Sequence, residues 1–287
     1  MKSTPRSSPR RPNGASAAKR AEAAAAAAIG IFDSGIGGLT VMREIMAMLP
    51  HEHLIYLGDT GRYPYGSKSA DTVRRYSIEN AAFLAEKGIK MLVVACNTSA
   101  AVALDVLSEQ LKMPVLGVIE PGARAAVKRT RNRKVGVIGT EGTIASGAYT
   151  RALKRLDSQL EIYTRACPLF VPLAEEGWVN NAVARGAAAL YLTSLKRSGI
   201  DTLVLGCTHY PLLADVIAEF MDDKVCLVDS ARTTAEAIRD TLVRYGLLQR
   251  SGPGSASFFV TDATDRFTKV AARFMGHPVE SAVRIER

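Results

Sequence analysis

Two apolar runs in this chain end alike, in a cysteine followed at once by Asn-Thr or Thr-His. They are Met91-Leu92-Val93-Val94-Ala95-Cys96-Asn97-Thr98 and Thr202-Leu203-Val204-Leu205-Gly206-Cys207-Thr208-His209. Short, β-branched, continuously apolar runs of this kind read as strands buried on both faces, the signature of a parallel sheet. Open α/β sheets collect their ligands at the carboxyl ends of such strands. Both thiols therefore fall where chemistry is placed, and together they suggest a matched pair of acid/base groups.

The rest of the chain agrees with an α/β fold. Strands are expected at Ile29–Phe32, His53–Leu57, Met91–Ala95, Val115–Val118, Val135–Ile138, Leu203–Leu205 and Val225–Val228. Helical patterns lie between them, at Asp71–Lys87, Ala100–Leu111 and Ala182–Arg197 among others. This alternation predicts βαβ units and mainly parallel sheets flanked by helices. Ile29-Gly30-Ile31-Phe32-Asp33-Ser34-Gly35 is echoed by Val135-Gly136-Val137-Ile138-Gly139-Thr140-Glu141-Gly142, with 106 residues between Gly30 and Gly136 and 111 between Cys96 and Cys207. Any α/β protein repeats strand-Gly-helix patterns, but two similar offsets in one order point to a duplicated unit. The expected organisation is two pseudo-symmetric domains, residues 29–118 with 239–287 and residues 119–238, with a cleft between their strand ends.

Composition bounds the function. The apolar share of 47% and charged share of 23% are those of a globular protein. No apolar stretch reaches the ~18 residues that would span a bilayer, so no membrane role is expected. The formal charge is +9, but residues 1–28 hold six Lys or Arg against one Glu, more than half of the excess. The remainder is only mildly basic, which argues against nucleic acid as a partner. Residues 1–28 combine Ser, Pro and Arg with an alanine tract and are expected to form a disordered tail. A signal peptide is the rival reading, but the tract is weakly apolar and runs straight into a strand. The four cysteines, Cys96, Cys167, Cys207 and Cys226, are widely spaced in a chain too long to need staples, so reduced thiols in the cytoplasm are expected.

Asp33-Ser34-Gly35-Ile36-Gly37-Gly38 follows the first strand. Its glycines permit close backbone approach, and the N–H groups of the next helix can hold an anion, carboxylate or phosphate. It is neither a P-loop nor G-x-G-x-x-G, since no Gly-Lys-Ser/Thr follows and Thr40 replaces the third glycine; a plain helix cap by Asp33 or Ser34 is the bland alternative. Gly58-Asp59-Thr60-Gly61-Arg62-Tyr63-Pro64-Tyr65-Gly66 is denser in polar and aromatic groups than a turn requires, which suits a pocket lining. A lone buried cysteine is usually a small core residue, and Cys167 and Cys226 are read so. Two cysteines at equivalent strand ends shift that balance, because a thiolate can act as a base and inversion at a carbon needs one base on each face. His209 is placed to pair with Cys207, and Asp33 lies at the corresponding strand end of the first unit. Cys207-x-His209 and His51-x-His53 lack the spacing of a metal site, so no metal is expected. Glu175 and Glu176 read by default as a helix-start or solvated pair, with one of them reaching the cleft as a second possibility.

Together these stretches resemble the glutamate racemases of the cofactor-independent aspartate/glutamate racemase superfamily. The resemblance rests on Phe32–Gly38, Tyr63-Pro64-Tyr65-Gly66, Val94-Ala95-Cys96-Asn97-Thr98, Leu205–Leu213 and Leu227-Val228-Asp229-Ser230, which keep family order and spacing from 29 to 230. It implies two α/β domains, a cleft active site, no cofactor, L- and D-glutamate as substrates, and a cytoplasmic homodimer supplying D-glutamate for peptidoglycan. It implies that Cys96 acts on D-glutamate and Cys207 on L-glutamate, assisted by Asp33 and Asp59 on the first side and by Glu175 and His209 on the second, with Glu176 competing for Glu175's place. Substrate contacts carry over to Asp33, Ser34, Tyr65, Gly66, Asn97, Thr98, Thr208 and His209. The basic tail departs from compact members, some of which carry extensions linked to activation by a cell-wall precursor; nothing legible as such a site stands in it. The competing functions are a sibling racemase of aspartate or hydantoin, and a binding protein whose tail meets DNA or another protein, as some family members are reported to act on DNA gyrase.

Overall fold

The computed structural model describes residues 22–222 and 224–286. Their strands form two wholly parallel sheets. The first holds β1 (Ile29–Asp33), β2 (His53–Gly58), β3 (Met91–Val94), β4 (Val115–Gly117), β9 (Ser255–Val260) and β10 (Val283–Arg284), in the order β10-β9-β2-β1-β3-β4. The second holds β5 (Lys134–Gly139), β6 (Glu161–Ala166), β7 (Thr202–Gly206) and β8 (Cys226–Asp229), in the order β6-β5-β7-β8. Every pairing is parallel. Helices cover the sheets: α1 (Leu39–Met48), α2 (Ala70–Glu86), α3 (Asn97–Gln110), α4 (Ile119–Arg129), α5 (Glu141–Ala145), α6 (Ala148–Leu156), α7 (Phe170–Glu176), α8 (Ala182–Arg197), α9 (Ala214–Phe220), α10 (Ser230–Tyr245) and α11 (Thr264–Met275).

The order β2-β1-β3-β4 of the first sheet is reproduced by β6-β5-β7-β8 in the second. The registers match as well. Gly30 pairs with Leu92 and Gly136 pairs with Leu203, so Cys96 and Cys207 each stand four residues beyond an equivalent rung. The two glycines also do the same packing work. A Cβ on Gly30 would lie 2.6 Å from Ile89 Cδ1, and one on Gly136 would lie 2.5 Å from Ile200 Cδ1. In both units an isoleucine before the cysteine-bearing strand fills the space above the first strand.

The continuously apolar strands β1, β3 and β7 are buried at every residue, which is why each was legible as a run. Three strands carry no such run. β6 (Glu161-Ile162-Tyr163-Thr164-Arg165-Ala166) is the outer strand of its sheet, exposed or half-exposed along its length. β9 and β10 extend the first sheet past β2 and have no counterpart in the second. An outer strand is apolar on one face at most, so its pattern blurs into loop.

The largest hydrophobic core takes residues from both sheets, among them Ile31, Val93, Val137 and Val204. Helix α10 runs unbroken through residues 238 and 239, between which the sequence reading divided the chain. It packs against α1 on one side and α4 on the other. The expected structureless tail needs a correction at its end: residues 22–26 are helical, and the Lys90 ammonium donates to the Ala25 carbonyl. Residues 1–21 lie outside the described part.

Lys90 is nearly sealed at the amino-terminal side of β3. Its ammonium also donates to the Glu52 carboxylate and, at 2.9 Å, to the Leu247 carbonyl, while Glu52 Oε1 accepts from the Gln249 backbone N–H at 2.9 Å. These bonds tie the chain beyond α10 to the first sheet. Removing one partner of a buried pair leaves a charge without compensation. Lys90→Met should therefore lower stability by about 3–5 kcal/mol, and the double variant Lys90→Met/Glu52→Leu should lose much less. Urea unfolding of the three proteins checks this.

Candidate active site

Cys96 stands between β3 and α3, at the N-cap position of the helix. It is 5% exposed, and its Sγ lies 3.7 Å from Ser34 Oγ. Burial pushes its thiol up to about 11, and the nearby Asp33 carboxylate pushes in the same direction. Asp33 is the last residue of β1. Its carboxylate accepts from Gly35 N–H at 2.9 Å and faces Thr208 Oγ1 at 3.5 Å. Burial raises its pKa against the opposing pull of His209 and of these donors.

Cys207 follows β7, and its Sγ lies 3.8 Å from His209 Nδ1. On the far side of the ring, His209 Nε2 lies 3.0 Å from Glu175 Oε1. Burial alone would depress the histidine, but Cys207 and Glu175 outweigh it and raise its pKa to about 10. Burial alone would raise Glu175, but His209, the Tyr63 hydroxyl and Arg266 hold its carboxyl below the usual range. Glu176 is exposed, so Glu175 is the carboxylate that meets His209. The helix α7 explains the difference, since successive residues lie about 100° apart around its axis.

Both sulfurs line one cavity of about 290 Å³ between the two sheets. Ser34, Tyr65, Gly66, Asn97, Thr98, Thr208 and His209 line it too. Asp33, Asp59 and Glu175 do not: Asp33 reaches it through Thr208 and Glu175 through His209. Asp59 is fully buried, held by Arg62 Nε at 2.8 Å, Thr261 Oγ1 at 2.9 Å and the Tyr65 hydroxyl. Its only link to the cavity among these is Tyr65. Asn97 Oδ1 accepts from the Tyr149 hydroxyl at 2.7 Å, whereas its buried Nδ2 has no partner. Asn97 lines the cavity as the first residue of α3, and the amino terminus of a helix favours an anion.

The sequence reading missed Thr140 and Glu141 as lining residues and Tyr149 and Arg266 as supports, whereas Tyr63 lines the cavity as the aromatic loop Gly58–Gly66 suggested. Thr140 stands in the echo of the first strand-turn unit, but only the apposition of the units brings its hydroxyl to 3.0 Å from Thr98 Oγ1. The same apposition explains the glycines. A Cβ on Gly37 would lie 2.3 Å from Thr208 Oγ1 and 2.4 Å from His209 Nδ1, and one on Gly66 would lie 2.7 Å from Thr140 Cβ. Gly142 N–H donates to the Gly66 carbonyl at 2.8 Å, and Thr40 Oγ1 donates to the Thr208 carbonyl at 3.1 Å. Gly37 thus serves as the contact face for the opposing loop. His51 and His53 are outside this site and bond Gly252 O and Ser255 Oγ. All four cysteines are free.

Residues 29–238 match the family model described as Asp/Glu/hydantoin racemase. A glutamate racemase of Geobacter metallireducens is 57% identical over 251 residues, covering 87% of this chain and 93% of that protein. The crystal structure of a glutamate racemase isoform from Bacillus anthracis superposes with a TM-score of 0.88 at 41% identity, covering 91% of this chain and 97% of that one. That of the Francisella tularensis glutamate racemase in complex with D-glutamate gives 0.86 at 35% identity, covering 91% and 98%.

The charge on His209 ties stability to pH. Its proton is held up to about pH 10 in the folded state and released near 6.5 in the unfolded chain. The stabilisation is complete below the lower value and is lost as pH rises through the upper one, with a slope of at most about 1.4 kcal/mol per unit. Urea midpoints of the wild type and His209→Gln between pH 6 and 10 should therefore converge with rising pH; a constant gap would show that the ring is not held charged.

Proposed function

The chain belongs to the Asp/Glu/hydantoin racemase family, and we infer that it is a glutamate racemase whose two half-reactions are carried by Cys96 and Cys207. The observation behind this reading is that the sulfurs close two equivalent strands of opposing sheets and border one cavity. A carbon held between them presents one face to each. In the L-to-D direction, Cys207 as thiolate takes the α-proton and Cys96 as thiol returns a proton to the other face. The enzyme is left with the two protonation states exchanged, ready for the reverse reaction or for re-equilibration with solvent. No electrons leave the substrate and no bond other than C–H and S–H changes, so the enzyme is a cofactor-independent isomerase. Its product D-glutamate supplies peptidoglycan synthesis.

The surroundings suit this chemistry. The α-hydrogen of an amino acid is a very weak acid, so the site must stabilise the carbanionic transition state by fixed dipoles in a water-poor space. We assign the substrate carboxylates to the amino terminus of α3, the unpaired Asn97 Nδ2 and the hydroxyls of Thr98 and Thr208. His209 as imidazolium balances charge at Cys207. Asp33 assists Cys96, and Asp59 acts through Tyr65. The protein works in the cytoplasm as a homodimer on this reading. The free cysteines suit a reducing compartment, and the groove of Leu169, Val183 and Leu190 offers apolar surface to a second copy.

The test is incubation with L-glutamate in heavy water, without added cofactor, following optical rotation and α-deuterium. D-glutamate should appear carrying deuterium. Cys96→Ala and Cys207→Ala should each lose at least about a thousandfold in kcat. Near wild-type racemisation by either variant would refute the two-thiol scheme, and faster turnover of aspartate would move the protein to a sibling activity.

A further inference from the structure

Glu175 belongs to α7 of the second unit, yet two first-unit side chains converge on its carboxylate. Tyr63 follows the 3-10 turn Thr60–Arg62 and borders the same small space as Glu175, where its hydroxyl helps hold that carboxyl below the usual range. Arg266, in the first turn of α11, lies 3.4 Å from Oε2 through its Nη2. The other oxygen is the one that meets His209. The Tyr63 ring also stacks on His209, with centroids 6.3 Å apart and planes 28° apart, while Phe274 of α11 meets the same imidazole edge-on at 5.3 Å. Tyr63 is itself packed hard, for a Cβ on Gly35 would lie 2.8 Å from its ring. It borders the main cavity on one side and, with Glu175 and Arg266, a smaller space of about 100 Å³ on the other.

We propose that Tyr63 and Arg266 are positioning residues that hold the Glu175–His209 pair against Cys207, so that proton transfer at this thiol depends on the two units being closed. The inference rests on the racemase reading above. The second unit by itself supplies Cys207, His209 and Glu175 but neither the donor nor the cation that fixes Glu175. Opening the cleft would withdraw both and leave the carboxylate to water. The groups facing this pair are few: Glu175 meets His209, Tyr63 and Arg266, with Arg273 on its backbone carbonyl, and His209 meets Cys207, Thr208 and the charge of Asp33. By contrast, the thiol of Cys96 has its neighbours Asp33 and Ser34 within its own unit.

Tyr63→Phe keeps the ring and removes the hydroxyl. In the full-length enzyme kcat should fall about tenfold with KM changed less than about twofold, the pattern of a lost transition-state interaction. The acid limb of the kcat/KM profile should move to higher pH, because a carboxylate that loses a donor holds its proton more tightly. Arg266→Gln should move the same limb in the same direction, and Arg266→Lys should restore it. In a Glu175→Gln background, Tyr63→Phe should add nothing further, since the two residues act through one contact. An unmoved acid limb, or full additivity with Glu175→Gln, would overturn the proposal even if kcat fell. A wild type that fails to exchange the α-proton of glutamate would overturn the racemase reading instead.

Discussion

The site exists because two parallel sheets face each other by their carboxyl ends, with loops that touch at a few points around the shared cavity. Gly37 is the tightest point of that meeting. The position its Cβ would take is already held by Thr208 and His209. Gly66 against Thr140 and the Gly142–Gly66 backbone bond make a second such point. Close-packed interiors do not yield by ångströms. A methyl group at either place would displace the opposing side chains, Thr208 and His209 at Gly37 and Thr140 at Gly66, and disturb the contacts they make across the units, Thr208 to Asp33 and Thr98 to Thr140. The catalytic geometry is thus a consequence of backbone proximity more than of any one polar bond.

A near-symmetric scaffold carries unlike chemistry on its two sides. In the matched registers Asn97 corresponds to Thr208 and Thr98 to His209, while Asp33 corresponds to Gly139 and Asp59 to Cys167. The carboxylates therefore sit on the Cys96 side and the imidazole on the Cys207 side. Burial next to Asp33 holds the Cys96 proton, and the raised His209 keeps a positive charge facing Cys207. The two sulfurs thus stand in unlike electrostatic surroundings, a carboxylate beside one and an imidazolium beside the other. Cys167, which occupies the place of Asp59, has its own thiol pushed up to about 12, chiefly by burial, and stays within the second core.

Much of this was legible in the chain. The buried strands show as unbroken apolar runs, and the similar offsets of 106 and 111 residues revealed the duplicated unit, in which each cysteine stands four residues beyond an equivalent rung. Strands β6 and β9 were not legible, since a half-exposed strand is patterned by its surroundings as much as by its residues. The choice between Glu175 and Glu176 was likewise closed to sequence, because adjacent residues differ only in which way a helix turns them.

The residue order alone determined that two thiols would end two equivalent strands, since strand burial and βαβ connectivity follow from local pattern. The tertiary structure decided what those thiols face. Tyr63, Thr140, Tyr149 and Arg266 enter the site from segments far apart in the chain, and His209 gains its charge only where Glu175 and Cys207 meet it in a buried place. Such contacts depend on how two units dock, and docking is set by the shapes of both surfaces at once, which no single stretch of sequence contains.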